Sequence, residues 1–133
     1  MFLSELLDKE KKVFLGLAFL AMKSDGNISP DEMRVFNTYK HECQLPEYQY
    51  KDENLDELLN DLKHSTKKSK RIVLMELMGI WTADNVWKNE EIEMMYHIGE
   101  SLGLSESETT RLKRWAREMR DIVFEGYELL MRE

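Results

Sequence analysis

The sequence predicts an all-α fold: a single-domain bundle of about seven helices with an internal pseudo-two-fold repeat. Three observations predict it. Apolar residues recur at helical spacing along almost the whole chain, and no stretch alternates as a strand would. Only two prolines occur, while 34% of residues are charged, which suits helices with solvated outer faces. Two nearly all-apolar segments, Val13–Met22 and Ile72–Trp81, are separated by the same run of turn and helix signals that follows each of them.

The elements follow in order. Ser4 can cap a first helix that runs through Lys9–Lys12 into Val13–Met22. That last stretch is apolar on all sides, as expected of a helix at the centre of a bundle. Asp25-Gly26-Asn27 is a turn signal. Ser29-Pro30-Asp31-Glu32 reads as a helix start, with Ser29 at N-cap, Pro30 at N1 and Glu32 at N3. That helix presents Val35, Phe36, Tyr39 and Cys43 on one side and ends near Gln44. Leu55, Leu58, Leu59 and Leu62 mark a short amphipathic helix after a polar connection that carries Tyr48 and Tyr50. Thr66 can cap a second central helix, in which Glu76 is the only charge between Ile72 and Ala83. Asp84-Asn85 breaks it. Glu90–Leu102 is a further helix, with Gly103 as its C′ residue. Ser105 to Glu108 is another capping box. The last helix shows Leu112, Trp115, Ala116, Met119, Ile122, Val123, Gly126 and Leu130 as one uninterrupted apolar stripe.

Composition bounds the function. A chain of 133 residues fits one domain, residues 1–133, and buries enough surface to fold without a disulfide or structural metal. Cys43 is the only cysteine, so no intrachain disulfide can form. The first dozen residues lack a signal-peptide pattern, and the longest apolar run, ten residues, is too short to span a bilayer. A cytoplasmic protein is expected. The net charge of −7 disfavours nucleic acid and anionic membrane surfaces as partners.

Shifting the sequence by 59 positions aligns two halves, about 10–47 and 69–106, without a gap. Leu15 falls on Leu74, Asp25 on Asp84, Glu32 on Glu91 and Leu45 on Leu104. Each half reads as an apolar helix, an Asp-led turn, and a helix opening on paired acids, Asp31-Glu32 and Glu90-Glu91.

The stretch Ala21 to Glu32 resembles the A-D-G-x-I-S-x-x-E signature of the TerB-like (tellurite-resistance) family. Thr82 to Glu91 resembles a second copy, with Asn85 for the usual Gly and Trp87-Lys88 for the Ile-Ser pair. Ile98 to Ser105 is similar to the family's closing stretch. The resemblance covers about residues 10–125. It implies an all-α bundle with internal pseudo-symmetry, an acidic metal site, and a stress or tellurite-resistance context without enzymatic activity.

The candidate metal ligands are Asp25, Glu32, Asp84 and Glu91. In each half Asp closes one helix and Glu opens the next seven residues later, so the turn between them can aim both carboxylates one way. Four carboxylates, with carbonyls and waters, would suit a hard divalent cation, Ca²⁺ or Mg²⁺. A standard EF-hand is not expected: two residues are missing from the middle of the loop, and Lys23 stands where an early ligand belongs. The same acids also serve as helix caps and complement the helix dipole without any ion.

The rival readings are a metal-free interaction domain and a metal-dependent hydrolase. The first would use Tyr48 and Tyr50, or the cluster Lys67, Lys68, Lys70 and Arg71. The second would use the acidic cluster, but the sequence offers no nucleophile or histidine beside those acids. Cys43 shares the stripe of Phe36 and Tyr39, as a core residue would, and His41 lies on the other side of that helix. His64 and His97 have no partner at metal-site spacing. Lys113, Arg114, Arg117 and Arg120 read as a solvated band, with Glu118 and Asp121 placed i+4 from Arg114 and Arg117.

Overall fold

The computed structural model describes residues 1–24, 26–83 and 87–133. Among these the chain forms a short 3-10 turn, Leu3–Glu5, and six α-helices: α1 (Asp8–Lys23), α2 (Pro30–Glu42), α3 (Leu55–Asp61), α4 (Lys67–Trp81), α5 (Asn89–Ser101) and α6 (Glu106–Met131). The described residues hold no strand, and no helix among them is long and apolar enough to cross a membrane.

The two apolar segments lie at the centre. α1 and α4 share the most extensive contact in the bundle; α2 and α3 lean on α1, and α5 and α6 lean on α4. Leu15, Leu17, Ala18, Leu74, Leu77 and Met78 are fully buried. Burying a Leu side chain is worth about 1.5–3 kcal/mol, so this shared apolar surface is the main cohesive element. Gly79 lets α2 approach α4: a Cβ there would run into the Tyr39 hydroxyl, which donates to the Glu76 carbonyl at 2.7 Å. Burial, with the nearby charges of Glu76 and Glu42, pushes the Tyr39 phenol well above its usual range.

Helix ends are fixed by local chemistry. The Ser29 hydroxyl accepts from the Glu32 amide at 3.0 Å while Glu32 Oε1 accepts from the Ser29 amide at 2.9 Å. Ser105 and Glu108 form the same box on α6, and Thr66 caps α4 by accepting from the Ser69 amide at 3.1 Å. Each such cap is worth about 1 kcal/mol. At the other end of α5, Gly103 adopts φ 78°. The Leu104 amide donates to the Gly99 carbonyl and the Gly103 amide to the Glu100 carbonyl, both at 2.9 Å, a Schellman ending. α2 ends identically 59 residues earlier. Leu45 donates to the Lys40 carbonyl at 2.8 Å and Gln44 to His41 at 2.9 Å, but here a non-glycine, Gln44, holds φ 60°.

One expectation changes, and two further features emerge only in the structure. α1 starts at Asp8 rather than at Ser4, because Leu3 is fully buried in the 3-10 turn and the chain must bend after it; Glu10 Oε1 then accepts from the Leu7 amide at 2.8 Å. Glu76, the one charge between Ile72 and Ala83, is buried but satisfied. It accepts from the Phe2 amide at 2.9 Å and pairs with the Met1 ammonium, which Glu42 of α2 also holds at 2.8 Å. The stripe of α6 is not inward throughout. Leu112 and Ala116 pack on the bundle, but residues 121–133 are all exposed except Gly126, which is half-buried.

Candidate functional site

Of the four proposed metal ligands, Asp25 and Asp84 lie outside the described residues. Glu32 and Glu91 occupy equivalent places, at N3 of α2 and of α5, and are 2% and 3% exposed. Glu91 Oε1 accepts from the Lys88 amide at 2.9 Å, matching Glu32 on Ser29. The reciprocal half of the box is absent at α5, since a lysine side chain carries no acceptor.

Capping accounts for much of this burial. Glu10 occupies N3 of α1, makes the same bond to its N-cap amide and is 5% exposed, with no paired acid of the second-loop kind. A buried carboxylate needs charge-assisted hydrogen bonds, and the first-turn amides supply them. Among the described residues, no three of His, Cys, Asp and Glu converge as a metal-binding group.

Both loops are framed by aromatic and basic side chains. At the first, Tyr50 stacks on Phe19 with centroids 4.4 Å apart, and Lys23 Nζ lies 5.3 Å from the Tyr50 ring and 5.7 Å from the Phe19 ring. Tyr48 meets Phe36 edge-on. Both tyrosines are therefore half-buried, which limits the surface they offer to a partner. The Tyr48 hydroxyl is enclosed without a hydrogen-bond partner among the described residues, and its burial, with the Glu53 and Tyr50 charges, pushes its pKa up to about 12.

At the second loop the basic band of α6 closes over Trp87. The Arg117 guanidinium lies 4.7 Å and Lys113 Nζ 5.3 Å from its ring, and Arg120 Nε donates to the Thr82 carbonyl at 2.8 Å. This corrects the picture of a purely solvated band. Arg114 does meet Glu118, at 3.9 Å, but Asp121 sits beside Arg120 at 3.6 Å.

The basic cluster at the start of α4 is spent on ties within the bundle. Lys67 reaches the Gly103 carbonyl, Lys70 the Lys63 carbonyl, Lys68 pairs with Glu5 at 2.7 Å and Arg71 with Glu108 at 2.7 Å. These contacts explain why cations are tolerated at the positive end of a helix. Arg71, together with the Ser105 amide, holds the Glu108 carboxyl down at about 2. Cys43 is buried at the end of α2, and burial with the Glu42 charge pushes its thiol up to about 11. His41, His64 and His97 are exposed. A groove of about 970 Å³ runs between α1 and the segment 44–53. Lys9, Lys12 and Lys51 share it with Glu47, Glu53 and Asp61.

The feature that sequence reasoning missed is the end of α6. Ile122, Phe124, Tyr127, Leu129, Leu130 and Met131 are 51–80% exposed on a helix that has left the bundle. A signal for this was present. Ile122-Val123-Phe124 and Leu129-Leu130-Met131 are consecutive apolar triplets, so the helix is apolar on more sides than one bundle can cover.

No family model, curated protein or solved structure matches this chain.

Proposed function

We propose that this protein is a non-enzymatic helical interaction module that docks a protein partner on the free end of α6. The carrying observation is the apolar surface at 122–131, whose large side chains are 45–80% exposed on a single helix. Exposed contiguous apolar surface of this kind marks association sites in folded proteins. The net charge of −7 and the internal pairing of the Lys67–Arg71 cluster direct the reading to protein rather than to nucleic acid or membrane. The TerB-like resemblance, with its cytoplasmic stress or tellurite-resistance context, is the background for this reading. So is an internal repeat of residues 10–47 and 69–106, which the matched starts and endings of α2 and α5 support.

The test is a photo-crosslinking residue at position 129 in the producing cell. A discrete protein adduct, abolished by Val123→Glu, is expected. A cell in which position 129 yields no discrete adduct contradicts the reading.

A second reading keeps the acids. Glu32 and Glu91 stand buried at equivalent helix starts, so Asp25, Glu32, Asp84 and Glu91 together would hold Ca²⁺ or Mg²⁺ across the pseudo-two-fold axis. An ion would relieve the mutual repulsion of the carboxylates and raise the melting temperature by mass action. Melting temperatures that are equal in millimolar Ca²⁺, in Mg²⁺ and in chelator would leave capping as the whole role of these residues.

A further inference from the structure

We infer that the partner on α6 is a second copy of this chain, bound antiparallel through residues 122–132; this deepens the interaction reading and rests on it. The stripe Leu112, Met119, Gly126 with Trp115, Ile122, Leu129 has heptad spacing, flanked on one side by Ala116, Val123 and Leu130 and on the other by Glu118, Glu125 and Arg132. The two flanks differ, and that difference selects the direction of pairing. In a parallel pair each acidic flank would face the partner's apolar flank, setting Glu125 against Leu130 and burying a carboxylate beside it. In an antiparallel pair apolar flank meets apolar flank and charged flank meets charged flank.

The register also follows. With Gly126 opposite Leu129 of the partner subunit, the small residue accepts the large one, and by symmetry this happens twice. Val123 then lies beside the partner's Leu130, and Glu125 beside the partner's Arg132, the residue that caps the end of α6. Shifting by one heptad toward the bundle would place Glu125 against its own copy. The chosen register places the two globular bodies at opposite ends of the helix pair, since α6 leaves the bundle near Arg120 and overlap is confined to the free segment. Overlap confined to about eleven residues of each helix makes a small interface, of the weak and transient class, so association is expected to depend on concentration.

The experiment is sedimentation velocity on the full chain over a micromolar to sub-millimolar range. Wild type is expected to pass from monomer to dimer, and Ile122→Glu with Leu129→Glu to stay monomeric with an unchanged circular-dichroism spectrum. Glu125→Lys should weaken the dimer several-fold at low salt, and Glu125→Lys with Arg132→Glu should restore it. Under mild oxidation, Val123→Cys chains mixed with Leu130→Cys chains should form the mixed disulfide in preference to either homodisulfide. A wild type that is monomeric throughout overturns the proposal. So does a dimer indifferent to Ile122→Glu with Leu129→Glu, or one giving homodisulfides only. If the purified chain is monomeric while position 129 crosslinks to another protein in the cell, the dimer fails and the interaction reading stands.

Discussion

Replacing Leu77 by Ala should destabilise the bundle by about 3–4 kcal/mol. Leu77 is fully buried on α4, on the helix pair that carries the largest contact in the fold. The substitution removes three carbons, worth about 0.8 kcal/mol each in transfer from water. The cavity left between two packed helices adds to this, because neighbours in a close-packed core relax only partly. For 133 residues the unfolding entropy is about 0.28 kcal/mol/K, so the melting temperature should fall by about 11–14 °C. Leu17→Ala, equally buried on α1, should behave alike. Leu129→Ala is the control: that side chain is 59% exposed, and its loss should cost at most about half a kcal/mol under conditions where the chain is monomeric. Urea and thermal unfolding followed by circular dichroism give all three values. A cost below about half a kcal/mol at both Leu17 and Leu77 would refute the placement of α1 and α4 at the centre.

Other outcomes are equally specific. Cys43, buried and with its thiol raised to about 11, should resist aromatic disulfide reagents at pH 8 and react fast only in denaturant; rapid labelling of the native chain would contradict its burial. Glu108 has a folded pKa near 2 against an ordinary 4.5, so the stability it contributes is present above pH 4.5 and lost as pH falls toward 2. Glu108→Gln should therefore flatten the acid limb of the stability profile, and an unchanged limb would show that the Arg71 contact does not hold in solution. Gly103→Ala should cost about 1 kcal/mol although a Cβ there meets open space, because φ 78° alone opposes it. Gln44→Gly, at the matching end of α2, should gain up to about 1 kcal/mol in chemical denaturation, and a loss would separate the two helix endings.

Features set by neighbouring residues were readable. Ser29, Thr66 and Ser105 announce helix starts because the bonds they make lie within three residues. Val13–Met22 and Ile72–Trp81 announce central helices because no other place covers them on all sides. The ending of α2 near Gln44 was readable in place, but not its left-handed backbone, because Gln44 carries none of the glycine signal that Gly103 gives. Ser4 misled because a buried Leu3 decides the entry to α1, and that burial depends on elements far along the chain. Glu76 stands alone in an apolar run of the sequence, and its partners, the amine and amide of residues 1 and 2, lie some 75 positions away, beyond the reach of local pattern. The site was legible in part. The positions of Glu32 and Glu91 at helix starts follow from the sequence, whereas Asp25 and Asp84 lie outside the described residues. Periodicity reveals that α6 has an apolar stripe but not where the bundle stops covering it. That boundary falls near Arg120, where the guanidinium ties α6 to the Thr82 carbonyl and stacks 4.3 Å from the Phe124 ring.

The central claim is that the end of α6 serves association and not the stability of the bundle. The most direct measurement is the melting temperature of a chain truncated after Asp121, compared with the full chain at a concentration low enough to keep both monomeric. The account predicts equal melting temperatures within about 1–2 °C, since residues 122–133 bury little apolar surface on the bundle. It also predicts that truncation abolishes association at high concentration. A truncated monomer that melts several degrees lower would contradict it, because residues 122–133 would then be part of the core they were taken to have left.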